Sequence, residues 1–166
     1  MKRILSGMLA VFLLLLLWGC EGLHPGAKNE VTFYYPRTEF QFGTAEGVIS
    51  PEPRDMSGHL DDLDYLLRMY LLGPLDKALE PVFPKGTRLM SWEETPEAIR
   101  LVLSEAGGEM PEIQFTLACA CISKTFMELR GIGQVTVERG SQSITIEQSE
   151  LLLLDTNNAQ PNGGTQ

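Results

Sequence analysis

Cysteine and histidine are scarce in this chain: three and two among 166 residues. Three thiols, at positions 20, 119 and 121, cannot build the disulfide framework of a small secreted scaffold. His24 and His59 have no ligand spacing with each other or with the cysteines, so the common zinc patterns are excluded. Positive charge is also short, with 13 Lys and Arg against 22 Asp and Glu and a formal net charge of −9. Neutralising phosphates needs the opposite balance, which sets nucleic acid aside as a partner. Catalytic signatures are missing too. There is no G-x-S-x-G, no H-E-x-x-H and no glycine-rich phosphate loop, and neither histidine stands beside a candidate nucleophile. We therefore expect no enzyme, no cofactor and no metal site. Carboxylates are plentiful, so an acid pair serving a cell-wall hydrolase is the less favoured alternative.

One long apolar run is present, and it lies at the start. Lys2 and Arg3 precede the uncharged stretch Leu9–Trp18, which is short for a membrane span and fits a signal peptide over residues 1–19. Leu17-Trp18-Gly19-Cys20 follows and resembles a bacterial lipobox, with Cys20 as the lipidated residue. Trp18 replaces the small residue usual at the second position. Diacylglycerol on Cys20 would anchor the mature chain to the outer face of the cell membrane, since each buried methylene contributes roughly 0.8 kcal/mol. Losing Lys2 and Arg3 takes the charge from −9 to −11 and leaves no polybasic patch, so the lipid alone must hold the protein there. Residues 20–30 read as a flexible tether, with Gly22, Pro25 and Gly26. Residues 155–166, ending PNGGTQ, carry nothing to bury and read as a disordered tail.

Between these ends lies one domain, 31–154. Val31–Tyr35 is a strand stopped by Pro36. Val48–Arg54 holds a second extended piece, which Pro51 and Pro53 confine to an edge or loop. Leu60, Leu63, Leu66, Leu67, Tyr70 and Leu71 share one side of a helix that Gly73-Pro74 ends, with Ser57 as the expected N-cap. Asp61, Asp62 and Asp64 suit the positive end of its dipole. A cation site is the other reading, but the alternating ligands and glycine turn of a cation loop are absent. Thr87–Glu93 and Glu97–Ser104 form a hairpin, the second alternating Ile99, Leu101 and Leu103 with outward residues.

The second helix opens at Pro111 and stops at Gly131, with Phe115, Ala118, Cys119, Ile122, Phe126 and Leu129 on its core face. Positions two apart on a helix point about 200° apart, so Cys119 and Cys121 cannot bridge and Cys121 should be the less buried. A C-x-C pair can bind metal or do redox chemistry, but no partner set accompanies it. Gln134–Glu138 and Ser143–Glu147 make a second hairpin. Leu151–Leu154 is an edge strand, a core plug or an exposed sticky segment; we expect burial. The order β, α, ββ, α, ββ implies an α+β two-layer sandwich of two helices on a small mixed sheet.

Several segments together resemble the GerM domain of sporulation and spore-germination lipoproteins. They are VTFYY (31–35), LLRMYLLGP (66–74), PKGTRL (84–89), AIRLVLSE (98–105) and TFMELRGIGQVTVE (125–138), in this order behind a lipobox. The resemblance implies a ring-building-motif-like α+β fold and a non-enzymatic role in envelope assembly, with sporulation or germination as one setting. It supplies no catalytic residues. The expectation is a lipid-anchored interaction domain that touches envelope proteins or further copies of itself. A lipoprotein binding cell-wall polymer or a small ligand is the alternative, with Trp92 as the sole mature tryptophan to form a sugar platform.

Overall fold

Prolines that offer no N–H decide how the first two strands meet. The computed structural model describes residues 29–39 and 47–154; the signal peptide, Cys20, nearly all of the tether and the tail lie outside the described residues. β1 (Glu30–Pro36) and β2 (Ile49–Asp55) pair antiparallel. Arg37 N–H donates to Val48 O and Met56 N–H to Asn29 O, at 3.0 and 2.8 Å. Bonded and non-bonded pairs alternate in such a ladder, so Pro51 and Pro53 fall on non-bonded positions facing away from β1. Val31, Phe33 and Tyr35 form the buried face of β1, and Glu52 and Arg54 are buried on β2 opposite them.

α1 (Leu63–Leu71) buries Leu63, Leu66, Leu67 and Tyr70. Its N-cap is Asp62, whose Oδ1 accepts from Tyr65 N–H at 3.0 Å, and not Ser57. Ser57 donates its N–H and hydroxyl to Asp55 in the turn ahead, because Gly58, His59, Leu60 and Asp61 still separate it from the cap of the helix. Leu60 is therefore half-buried in that turn, outside the helix. Gly73 follows with φ 91°, a left-handed conformation that ends the helix without a Cβ penalty.

A four-stranded mixed sheet follows, ordered β3 (Leu89–Glu94), β4 (Ala98–Leu103), β5 (Gln134–Arg139), β6 (Gln142–Glu147). β4 and β5 are parallel and the outer pairs antiparallel. Alternation gives it an inner face of Ile99, Leu101, Leu103, Val135, Val137 and Ile146. Arg100, Glu138 and the Thr136–Thr145 pair occupy the solvent face.

The parallel crossover is α2 (Glu112–Arg130). Pro111 sits at its N-cap, one place before the first helical position, and Gly131 ends it at φ 67°. α2 touches β5 and β6 on one side and β1 on another. The run Ala118-Cys119-Ala120-Cys121 is buried throughout, so Cys121 is as enclosed as Cys119, contrary to the single-face expectation. Small side chains let neighbours close on the helix from several directions. Thr125 shows the same thing: its Oγ1 donates to Cys121 O at 3.0 Å and accepts Tyr34 N–H at 2.9 Å.

The last element, α3 (Gln148–Leu154), packs on α2 and β6. Leu151–Leu154 is thus helical and not an edge strand, with Leu151 buried. The α+β class is as expected. The arrangement is fuller than the sequence suggested, since the opening hairpin forms its own two-stranded sheet and a third helix joins the two foreseen.

Candidate functional site

The residues singled out for chemistry turn out to hold the structure together. Burial pushes the Cys119 thiol up to about 12, and it raises Cys121 as well, with Cys119 adding to the effect. Both are neutral, unreactive fillers at physiological pH. Of the aspartate cluster, Asp62 caps α1. Asp64 accepts from Arg68 at 2.5 and 3.1 Å, and that partner, with a smaller contribution from the Trp92 indole, holds its carboxyl below the usual range. His59 stacks on Tyr65 with centroids 3.9 Å apart. Among the described residues no three His, Cys, Asp or Glu side chains converge as a metal site would require.

A buried ion pair that the sequence reading missed braces one surface. Arg54 donates to Glu52 Oε2 at 2.6 Å and to Gly73 O at 2.7 Å, and it lies 5.0 Å from the Phe33 ring centroid. Glu52 Oε1 accepts the N–H groups of Leu75 and Asp76 at 2.8 and 2.9 Å. Tyr35 and Tyr70 stack beside this pair at 4.9 Å, and burial raises both phenols. Alternation puts Glu52 and Arg54 on one face of β2 and Pro51 and Pro53 on the other, and the packing makes the charged face the buried one. Arg139 plays a similar part, 1% exposed, donating to Ala106 O and to Gly108 O and so anchoring the 106–108 loop.

The backbone braced by Glu52 and Arg54 presents Leu72 and Leu75, 77% and 79% exposed, on either side of Gly73-Pro74. Further exposed apolar groups lie on β3, where Met90 is 66% and Trp92 36% exposed. Every β3 residue except Leu89 is exposed, and α1 flanks the strand. Ser104 N–H donates to Arg88 O and Thr95 N–H to Ala98 O, at 2.9 Å each. These bonds make Ser91/Val102 and Glu93/Arg100 the bonded pairs, so the main-chain groups of Trp92 and Glu94 face the open edge. Among the described residues this edge thus presents main-chain groups with no backbone hydrogen-bond partner, flanked by apolar and charged side chains, and it is a candidate site for contact.

No family model matches the chain, and no curated protein does. Two solved structures are similar to it. One is the tandem GerMN domains of the sporulation protein GerM from Bacillus subtilis, with a TM-score of 0.48 and 17% identity. That match covers 68% of this chain and 39% of that one, so this chain spans well under half of the tandem protein. The other is a candidate lipoprotein from Clostridium perfringens, with a TM-score of 0.46 and 20% identity over 78% of this chain and 93% of that one. At that distance neither says anything about activity or partners.

Proposed function

We propose that this protein is a lipoprotein held outside the cell membrane through Cys20, and that its domain works by binding other envelope proteins, without catalysis. The observation that carries the reading is the pairing of a braced interior with an exposed contact surface. Glu52 and Arg54 are spent on main-chain partners around Gly73–Asp76, where Leu72 and Leu75 stand in solvent on backbone that is held in place, while Met90 is exposed on β3 and Trp92 half-exposed beside Asp64. Apolar groups presented on fixed backbone favour association, because little ordering entropy is lost on contact. A GerM-like assembly module behind a lipobox accounts for both the anchor and this surface; sporulation or germination is the setting that the sequence motifs favour.

Two measurements test it. Feeding cells an alkyne-bearing palmitate should label the full chain and leave the Cys20→Ala variant unlabelled. In-cell crosslinking of the lipidated chain should capture an envelope protein or a further copy, and Leu72→Asp/Leu75→Asp or Trp92→Ala should cut the yield several-fold. An unlabelled wild-type chain would defeat the anchor, and a chain that crosslinks to nothing would defeat the binding role.

A further inference from the structure

Two arginines are buried among the described residues, and one of them has no counter-charge. Arg54 is met by Glu52 at 2.6 Å. Arg139 is 1% exposed and makes no ion pair with any described residue. Its Nη2 donates to Ala106 O and to Gly108 O, the latter at 2.8 Å, while Nε and Nη1 have no hydrogen-bond partner. A buried cation ordinarily comes with an acid, and stranded donors on it call for a ligand.

The loop over Arg139 is lightly held. Residues 105–109 run between two pinned points. Ser104 donates its N–H to Arg88 O and accepts Arg88 N–H on Oγ, each at 2.9 Å. Met110 exchanges two bonds with the Gln142 amide, at 3.2 and 2.9 Å. Between them Gly107, Gly108 and Glu109 are exposed, and among the described residues the hydrogen bonds tying this stretch to the rest of the domain come from Arg139. Guanidinium geometry makes that tie a competition. A carboxylate grips a guanidinium along an edge formed by Nη2 with either Nε or Nη1. Both edges need Nη2, and the loop carbonyls hold it, so a carboxylate and the closed loop exclude one another. The surroundings select the class of anion. α2 starts directly beyond the loop without a side-chain cap, so the positive end of its dipole adds to the guanidinium. Glu105, Glu109 and Glu112 are exposed around the same stretch and repel a phosphate dianion more than a single carboxylate.

We propose that Arg139 is a latched carboxylate site. Closed, the 105–109 loop covers it; open, Arg139 takes a side-chain or C-terminal carboxylate of a protein partner along one bidentate edge. This rests on the interaction reading above and names the group the partner brings. The two glycines suit the movement. Gly107 and Gly108 stand at φ 77° and 79°, and a Cβ on Gly107 would lie 3.1 Å from Pro84 Cβ. The loop closes fully only without a side chain at that place. Binding must meet the cost of opening, so anything that loosens the loop raises the affinity.

Acetate titrated against the purified lipidated chain in detergent micelles tests this, with chloride at equal ionic strength as the control. In nitrogen-15 NMR the Arg139 Nε–H resonance should shift and saturate with acetate, and the Gly107 and Gly108 amide resonances should move with the same midpoint. Arg139→Met should abolish the response of the two glycines. Gly107→Ala keeps the guanidinium and strains the closed loop, so its acetate midpoint should fall several-fold; this variant carries the test if Arg139→Met does not fold. No response to acetate, an equal response to chloride, or an unchanged midpoint in Gly107→Ala would overturn the proposal, and an ordered water would then account for Nε and Nη1. If cells in that case still crosslink the chain to an envelope protein, the latch fails while the binding role stands.

Discussion

Arg54 is the residue on which most depends for its size. It is 6% exposed, its charge is met by Glu52, and it reaches into the C-terminal end of α1 through Gly73 O. Removing one partner of a buried pair strands the other charge, which costs about 3–5 kcal/mol. Arg54→Ala should lose roughly that much in urea unfolding. The buried cysteines give a prediction in pH. Burial favours the neutral thiol, so the folded pKa of Cys119, about 12, lies above its unfolded value. Stability from this source is complete below about pH 8.5 and drains as pH rises towards the folded value. The melting temperature should fall between about pH 8 and pH 11, and Cys119→Ala should show a smaller fall over the same range. Thiol reagents should leave Cys119 and Cys121 unlabelled until urea unfolds the chain.

At the scale of elements, α1 shows how a boundary is set by one side chain. Asp62, Asp61 and Ser57 are all acceptable caps by type, but only Asp62 has its carboxylate three residues before an N–H at the right place, that of Tyr65. Asp62→Ala should cost about 1 kcal/mol, and Ser57→Ala should change α1 little. A thermal melt of the two variants separates them. The helix ends, the strand alternation and the hairpins were legible in the residues, because Gly73, Gly131 and the Ile99–Leu101–Leu103 rhythm act locally. The start of α1 was not, since three candidates within six residues differ only in how the turn ahead of the helix folds. Leu151–Leu154 was ambiguous for the same reason: an apolar run of four has no period of its own.

Across the whole molecule α2 is the shared support. It contacts β1, β5 and β6, and Phe126 on it meets Tyr70 of α1 at 5.9 Å. The hairpin and the four-stranded sheet therefore depend on the same helix and should unfold together. Phe126→Ala should cost about 3–5 kcal/mol and leave one unfolding transition. Two separate transitions, one for the residues of β1 and β2 and one for the large sheet, would contradict this.

The residues alone determined the α+β class and the succession from α1 to β6, since each follows from patterns within a few positions of chain. Only the packing decided that the opening hairpin stands as its own sheet, that Cys121 is enclosed and that Glu52 and Arg54 are paired inside. Only the packing, too, turned the main-chain groups of Trp92 and Glu94 away from β4. These depend on what approaches a helix or strand from distant parts of the sequence, and a periodicity reports which face is apolar without saying how many neighbours will close on it.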